Sequence, residues 1–359
     1  MKIVLIANKL TGGGAERVAA MWADGFCQKG YSVTLFLYDN KRPVTYKVPE
    51  RVSIKYAISN KKNTIIRIIE RIVNLHRLLS EEKADVIIDV IPTYWKRIAM
   101  CGISGKKIST EHNSFERPQN AYHKYNKFEK IYLNKFYDHV TVLTQADRDL
   151  IGNKLKCVTV LPNPLALSPA KDTPKKKKII FATGRLDDWH YKGFDILIKA
   201  WAKIAHKVEG WKLQIAGDSK KGGLLFLQDL CAEYRVTNSV EFLGYQSDIL
   251  PFYQDASIFV LSSRYEGFGL VLIEAMSQGC ACVACDYKGR QKEIITSEKQ
   301  GLICEPENVE ELSKTILGLV QDEDKRKEVG KNAITRSHDF TIEIIMNKWE
   351  CIINNIVNL

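Results

Sequence analysis

No stretch of this 359-residue sequence comes near the roughly 20 consecutive apolar residues that cross a bilayer. The opening apolar run, Ile3 to Ala7, is too short for a signal-peptide core and leads into glycines, so it reads as a buried strand of a cytoplasmic protein. Paired metal-binding cysteines are also lacking. Of the nine cysteines, Cys27, Cys157, Cys231, Cys304 and Cys351 stand singly among apolar residues and are expected in the core. Cys280, Cys282 and Cys285 include one CxxC, but no second pair or nearby histidine completes a zinc set. With 45% hydrophobic and 26% charged residues, the composition marks neither disorder nor a fibre.

What is present is an alternation of short apolar runs with helical patterns, which predicts βαβ units and parallel sheets. KIVLIA, SVTLFLY, ADVIIDVI, KKIST, DHVTVLT and CVTVLP read as strands of the first half. KKIIFATG, WKLQIAG, VEFLG, ASIFVLSS and ACVACD read as strands of the second. Between the sets lies PNPLALSPAKDTPKKKK, with Pro162, Pro164, Pro169 and Pro174, a linker candidate because proline removes donors and disfavours helix before it. Its lysine run, Lys175 to Lys178, reads as a solvated entrance to a strand. The boundary after Pro164 also divides the charge. Residues 1–164 hold 27 Lys and Arg against 15 Asp and Glu, whereas residues 165–359 hold 26 against 27. The whole excess therefore sits in the first half and implies an anionic partner there.

The most specific pattern is RYEGFGLVLIEAMSQG, in which Glu266 and Glu274 enclose seven residues after a strand. The glycines put Glu266 in a loop and predict a helix from near Phe268 to Gly279. The backbone N–H groups of Gly267, Phe268, Gly269 and Leu270 then gather at a helix start, an environment suited to a diphosphate, and the glycines allow close approach. Two carboxylates beside a diphosphate need other partners, and sugar hydroxyls are suitable donors.

In IIFATGRLDDWHYKGFDILIKAW, Gly184 and Arg185 leave a strand and Lys192 precedes the next helix. Cations at the carboxyl end of a sheet can converge on one diphosphate, though either could be a surface charge. Gly12, Gly13 and Gly14 follow the first strand without satisfying GxGxxG, so an ordinary dinucleotide site is weakly supported. Arg17 could equally pair with a carboxylate on its own helix. His112, flanked by Glu111 and Asn113, follows another predicted strand, and taken alone is a structural or surface histidine. The DxD strings Asp147/Asp149 and Asp322/Asp324 lie in charged helical segments without further ligands, and no metal is expected.

Together these segments resemble glycosyltransferase family 4 of the GT-B fold. The likeness covers both halves and rests on Glu-x7-Glu, on the G-R-L and K-G around Arg185 and Lys192, and on the GGAER after the first strand. It implies an α/β protein with two doubly wound Rossmann-like domains facing across a cleft. Residues 1–164, joined by a C-terminal helix at about 342–359, would form the acceptor side, and residues 165–341 the nucleotide-sugar side. It further implies a retaining transfer of a hexose or N-acetylhexosamine from a nucleoside diphosphate sugar, UDP being the expected nucleotide, to a lipid-linked or polysaccharide acceptor. Glu274 would hold the ribose hydroxyls, Glu266 the hydroxyls of the transferred sugar, and Arg185 and Lys192 the departing diphosphate. The loop of Gly13 and Gly14 would approach the donor, His112 would lie near the transferred sugar, and Tyr245 after Gly244 would neighbour the base. Asn163 is expected as a turn residue at the crossover between domains. No well-placed carboxylate pair marks a double displacement; the resemblance implies same-face attack, with the leaving phosphate taking the acceptor's proton. The nucleotide sugar is a co-substrate, and no cofactor is expected.

KKNTIIRIIERIVNLHRLL carries apolar positions 65, 68, 69, 72, 75 and 79 on one side with Arg67, Arg71, Asn74 and Arg77 elsewhere. It reads as a helix packed on the first sheet, with a membrane-surface helix as the sharper alternative. A second stretch interleaves Tyr122, Tyr125, Phe128 and Tyr132 with Lys124, Lys127, Lys130 and Lys135. No nucleic-acid motif accompanies it, and peripheral attachment to the inner face of the cell membrane accounts for the same charges. Two other readings stand beside it: a UDP-sugar epimerase on the same architecture and, from a different class, a non-catalytic sugar- or lipid-binding module with a decayed site.

Overall fold

The computed structural model describes residues 1–39, 44–116 and 126–358. The chain forms two compact units, residues 1–164 with 342–359, and residues 165–341. In the first, seven strands make one wholly parallel sheet: β1 (Lys2–Ala7), β2 (Ser32–Leu37), β3 (Ser53–Tyr56), β4 (Val86–Asp89), β5 (Lys106–Glu111), β6 (His139–Val142) and β7 (Val158–Val160), in the order β3-β2-β1-β4-β5-β6-β7. In the second, β8 (Lys177–Thr183), β9 (Lys212–Ala216), β10 (Val240–Gly244), β11 (Ala256–Leu261), β12 (Ala281–Cys285) and β13 (Leu302–Cys304) form another parallel sheet in the order β10-β9-β8-β11-β12-β13. Helices cover both faces of such sheets, which is why β11 and β12 are apolar and buried at every position.

β3 and β13, which no apolar run announces, are short edge strands with partly exposed positions. Cys280, Cys282, Cys285 and Cys304 are buried on or beside β12 and β13. Burial pushes the Cys285 thiol up to about 12, so it is inert as a nucleophile or ligand. Cys157 and Cys351 are exposed, contrary to expectation. Cys157 precedes the half-buried edge strand β7, and Cys351 points outward from a helix whose inner face is Trp349, Ile352 and Ile353. Lys176 is not solvated either. Its ammonium donates to Tyr253 O at 2.9 Å and Gln278 O at 2.7 Å, pinning the start of the second unit.

The helix Ile342–Val357 packs within the first unit on helix Gly14–Gln28. Trp349 meets Trp22 edge-on at 5.1 Å and Phe26 at 5.6 Å. A Cβ on Gly25 would lie 2.7 Å from Met346, so the glycine sets how closely the two helices approach. The helix Thr64–Glu82 buries Leu75 and Leu79 but leaves Ile65, Ile66, Ile69 and Val73 exposed. Only its C-terminal half therefore packs as expected. No helix among the described residues is long and apolar enough to cross a membrane.

Candidate active site

In each sheet the strand order reverses at the first strand: β8 lies between β9 and β11, and β1 between β2 and β4. Loops leaving the carboxyl ends of such a pair part to opposite faces and open a crevice, the usual ligand site of open α/β sheets. The loops after β8 and β11 carry Arg185, Lys192 and Glu266, so topology alone brings these segments together.

Their approach is fixed by glycines and by carboxylates. A Cβ on Gly193, whose φ is +63°, would meet Ser262 O at 1.9 Å, and one on Gly217 would meet Gly184 O at 1.8 Å. Asp187 accepts from Ser219 Oγ at 2.8 Å and from the backbone N–H groups of Lys220 at 2.7 Å, Lys221 at 3.0 Å and Gly223 at 3.1 Å. Those backbone bonds, Lys220 first, hold its carboxyl well below the usual carboxylate range. Arg264 donates bidentately to Asp195 at 2.7 and 2.9 Å, to Glu307 at 2.8 Å and to His190 O at 2.6 Å. It thereby stitches the loop after β11 to the loop after β8.

Lys192 and Glu266, 74 positions apart, form an ion pair at 2.6 Å, and Ser263 Oγ donates to the same carboxylate oxygen at 2.9 Å. Arg185 pairs instead with Asp188 at 2.7 Å and is 69% exposed. The helix after the loop runs Leu270–Ser277, starting two residues later than predicted because Gly269 at φ +108° is its N-cap. Gly267, Phe268 and Gly269 are buried beside it, and Phe268 O accepts from Gln291 Nε2 at 3.1 Å. Glu274 faces inward at 2% exposure and accepts from the Tyr253 hydroxyl at 3.1 Å. Gly184 N donates to Ala216 O, while Tyr245, after Gly244, is 74% exposed. Asp187, Asp188, Ser263 and Arg264 went unremarked in the sequence, where only their closeness to Arg185 and Glu266 marks them.

The crevice of the first sheet is organised by buried charges. Asp89, at the end of β4, binds the fully buried Lys96 ammonium and accepts from Tyr137 Oη at 2.7 Å. Glu111, ending β5, takes Lys130 Nζ at 3.0 Å and Asn134 Nδ2 at 2.7 Å. Lys130 is thus an interior partner and not a surface cation as its stretch suggested; Tyr122, Lys124 and Tyr125 of that stretch lie outside the described residues. Asp147 accepts from Ser114 Oγ at 3.0 Å and Phe115 N at 3.1 Å, which fixes the turn after His112. Asp322 caps the helix Glu323–Ser337. Gly13 is the N-cap of helix Gly14–Gln28, and Arg17 lies in its first turns.

Thr110 Oγ1 donates to the carbonyls of β4's end and lies 3.1 Å from His112 Nε2. Its hydrogen is therefore committed, and His112 donates from Nε2, leaving the lone pair on Nδ1. Burial, opposed by the neighbouring Asn163 side chain, lowers the His112 pKa to about 4, so the ring is neutral at pH 7. His112 Nδ1 and Asn163 Oδ1 are both shut off from solvent, and neither has a partner with full hydrogen-bonding geometry.

The family model described as Glycosyl transferases group 1 matches residues 166–336, and that described as Glycosyltransferase Family 4 matches residues 12–168. An uncharacterized glycosyltransferase of Haemophilus influenzae is 28% identical over 97% of this chain and 98% of its own length. The GalNAc-alpha-(1->4)-GalNAc-alpha-(1->3)-diNAcBac-PP-undecaprenol alpha-1,4-N-acetyl-D-galactosaminyltransferase of Campylobacter jejuni is also 28% identical, over 100% of this chain and 99% of its own. Among solved structures, HepE of Anabaena in complex with UDP and glucose superposes with a TM-score of 0.80 at 19% identity, over 99% of both chains. The two family matches together cover residues 12–336, and the chain belongs to the family 4 type glycosyltransferases of the GT-B fold.

Proposed function

We propose that this glycosyltransferase takes its sugar from UDP and transfers it, with retention, to a lipid-linked saccharide. The observation that carries the donor reading is the Lys192–Glu266 pair at the strand-order reversal of the second sheet, beside the glycine-lined turn Gly267–Leu270. A cation and a carboxylate held at one point match the two ends of a sugar diphosphate, anionic phosphate and hydroxyl-bearing sugar. HepE, of the same fold, binds UDP and glucose, and the Campylobacter relative acts on an undecaprenyl diphosphate glycan.

In the proposed reaction the acceptor hydroxyl oxygen bonds to the anomeric carbon while the bond to the diphosphate breaks. The electron pair stays on the phosphate oxygen, which takes the acceptor's proton on the same face. Lys192 and Arg185 neutralise the charge that grows on that oxygen, and fixed cations of this kind lower the barrier because they act most strongly in the transition state. Glu266 and Glu274 accept from sugar and ribose hydroxyls, the backbone around Gly184, Gly267 and Gly269 admits the diphosphate, and Tyr245 flanks the base. His112, neutral and with Nδ1 as an acceptor, is suited to a sugar hydroxyl and not to a phosphate. The cations take the place a metal would fill, so no metal is required on this reading. The +12 balance of residues 1–164 and the exposed aliphatics of helix Thr64–Glu82 support attachment to the inner, anionic face of the cell membrane.

A screen of nucleoside diphosphate sugars for thermal stabilisation tests the donor, since ligand at 100 times its Kd stabilises by about 2.7 kcal/mol. A shift with UDP-sugars that disappears in Glu274→Ala supports the assignment; equal shifts in both proteins refute it. Anomeric analysis of the product tests retention, and release of free sugar with UDP would indicate an epimerase-type reaction instead. Flotation with anionic vesicles tests membrane attachment, which fails if the protein stays at the bottom of the gradient.

A further inference from the structure

A buried ion pair beside His112 takes no part in the transfer as proposed. Lys130, on the helix Lys127–Asn134, is 7% exposed. Its ammonium donates to Glu111 Oε2 at 3.0 Å and to Asn113 O at 3.2 Å, so one side chain ties together the residues on either side of His112. Asn134, one turn further along the helix, donates from Nδ2 to the other Glu111 oxygen at 2.7 Å and to Lys130 O at 2.9 Å. The same ammonium lies 5.1 Å from the centre of the Phe115 ring, in the turn that follows.

Burying such a pair is a poor way to gain stability, because desolvation of the two charges cancels most of their attraction and apolar residues of similar volume commonly do as well. What an ammonium supplies that a methyl group does not is direction. Its hydrogens fix a carboxylate and a carbonyl two residues apart, and with them the backbone of the residue between. The remaining neighbours of His112 restrain the ring and not the chain: Trp22 lies against it at 5.4 Å, Thr110 Oγ1 is 3.1 Å from Nε2, and the Asn163 side chain is close by. None of these three carries a charge, whereas the Lys130 ammonium adds to burial in disfavouring a charged imidazole.

We propose that Lys130 is a positioning residue of the transfer site, which by gripping Glu111 and Asn113 sets the turn from which His112 meets the sugar. The inference rests on the reading of His112 as a neighbour of the transferred sugar. Lys130 touches neither sugar nor nucleotide on this account, so its effect on the reaction passes through the imidazole.

The test is a double-mutant cycle on the whole protein with UDP-glucose or UDP-N-acetylgalactosamine, whichever raises its Tm more. Lys130→Met alone strands the Glu111 carboxylate, so the pair is removed together as Glu111→Gln/Lys130→Met, whose amide oxygen still accepts from Asn134. Hydrolysis of that donor to UDP should fall in kcat by about fivefold or more, as for loss of one hydrogen bond, with KM little changed. In a His112→Gln background the same pair should cost nothing further, because a residue that acts through His112 has nothing left to position. Proton NMR of the ring, assigned by its disappearance in His112→Gln, gives a second reading. The neutral form should persist down to about pH 4 in the unsubstituted protein and should protonate at least about one pH unit higher without the ammonium, about a tenfold gain in proton affinity. A folded double variant with unchanged kcat overturns the proposal, as does a loss that adds in full to that of His112→Gln; either leaves the pair a support of the fold alone. If the pair proves necessary for folding, Lys130→Arg, which keeps the charge but changes the reach, carries the same cycle. If neither donor binds, or His112→Gln hydrolyses it as fast as the unsubstituted protein, the donor or sugar-contact reading falls, and the ring titration decides whether Lys130 holds the imidazole: an unshifted midpoint overturns that too.

Discussion

Replacing Lys192 by glutamine separates the two things its ammonium does. In the folded protein it neutralises Glu266 across 2.6 Å, with the lysine side chain 25% exposed and the glutamate 13%. Solvent screens a pair of that exposure, so its net contribution to stability is about 1 kcal/mol. For a unit of residues 165–341 that corresponds to a fall in Tm of roughly 2–4 °C. In the proposed reaction the same ammonium faces a developing phosphate charge in the transition state, and losing one such preorganised group would lower turnover by about 10²- to 10³-fold, near 3–4 kcal/mol. The activity loss should therefore exceed the stability loss several-fold. The assay pairs thermal denaturation with UDP release from the donor in the presence of the acceptor. Lys192→Gln/Glu266→Gln should regain stability relative to Lys192→Gln, because no lone carboxylate remains, yet should regain no turnover. Turnover within about threefold of the unsubstituted protein, or restored in the double variant, would refute the reasoning.

Acidification should destabilise the protein between pH 6.5 and about 4. Burial lowers both His112 and His139 to about 4, so in that window the unfolded chain binds more protons than the folded one, and stability present above pH 6.5 is lost as pH falls. Keeping the His112 ring neutral across that window contributes up to about 3 kcal/mol, since each tenfold loss of proton affinity corresponds to about 1.4 kcal/mol. Urea denaturation against pH measures this, and the curve should flatten in His139→Gln. Gly193→Ala places a Cβ 1.9 Å from Ser262 O at a φ of +63°, and should cost at least about 2 kcal/mol in urea denaturation. Trp349→Ala empties a fully buried position against Trp22 and Phe26 and should cost about 3–5 kcal/mol, read from the melting transition.

The strands that could be read directly are those buried on both faces, such as β1, β11 and β12, where a continuous apolar run is the physical requirement of a covered parallel sheet. SIKY and LIC could not, because an edge strand of three or four residues owes its conformation to the neighbour it pairs with and not to its own pattern. In helix Thr64–Glu82 the periodicity identified an apolar side without revealing which part of it would be covered. Leu75 and Leu79 reach the core, whereas Ile65 and Ile69 do not. At the site, Glu-x7-Glu and the two cations were visible as local patterns. That Lys192 would meet Glu266 while Arg185 met Asp188 depends on two loops parting at one strand reversal, a relation no window of sequence contains. Asp187 and Arg264 act through loop carbonyls and amides far away in sequence, and side-chain spacing is silent about such partners.

The helix Ile342–Val357 belongs to the first unit although the ribosome makes it after all of the second. During synthesis, β1 to β7 emerge with the Trp22 and Phe26 face of helix Gly14–Gln28 still waiting for Trp349, while residues 165–341 can reach their final core without further chain. The half made first is thus finished last, and in the interval it carries an aromatic face that a chaperone or another nascent chain can bind.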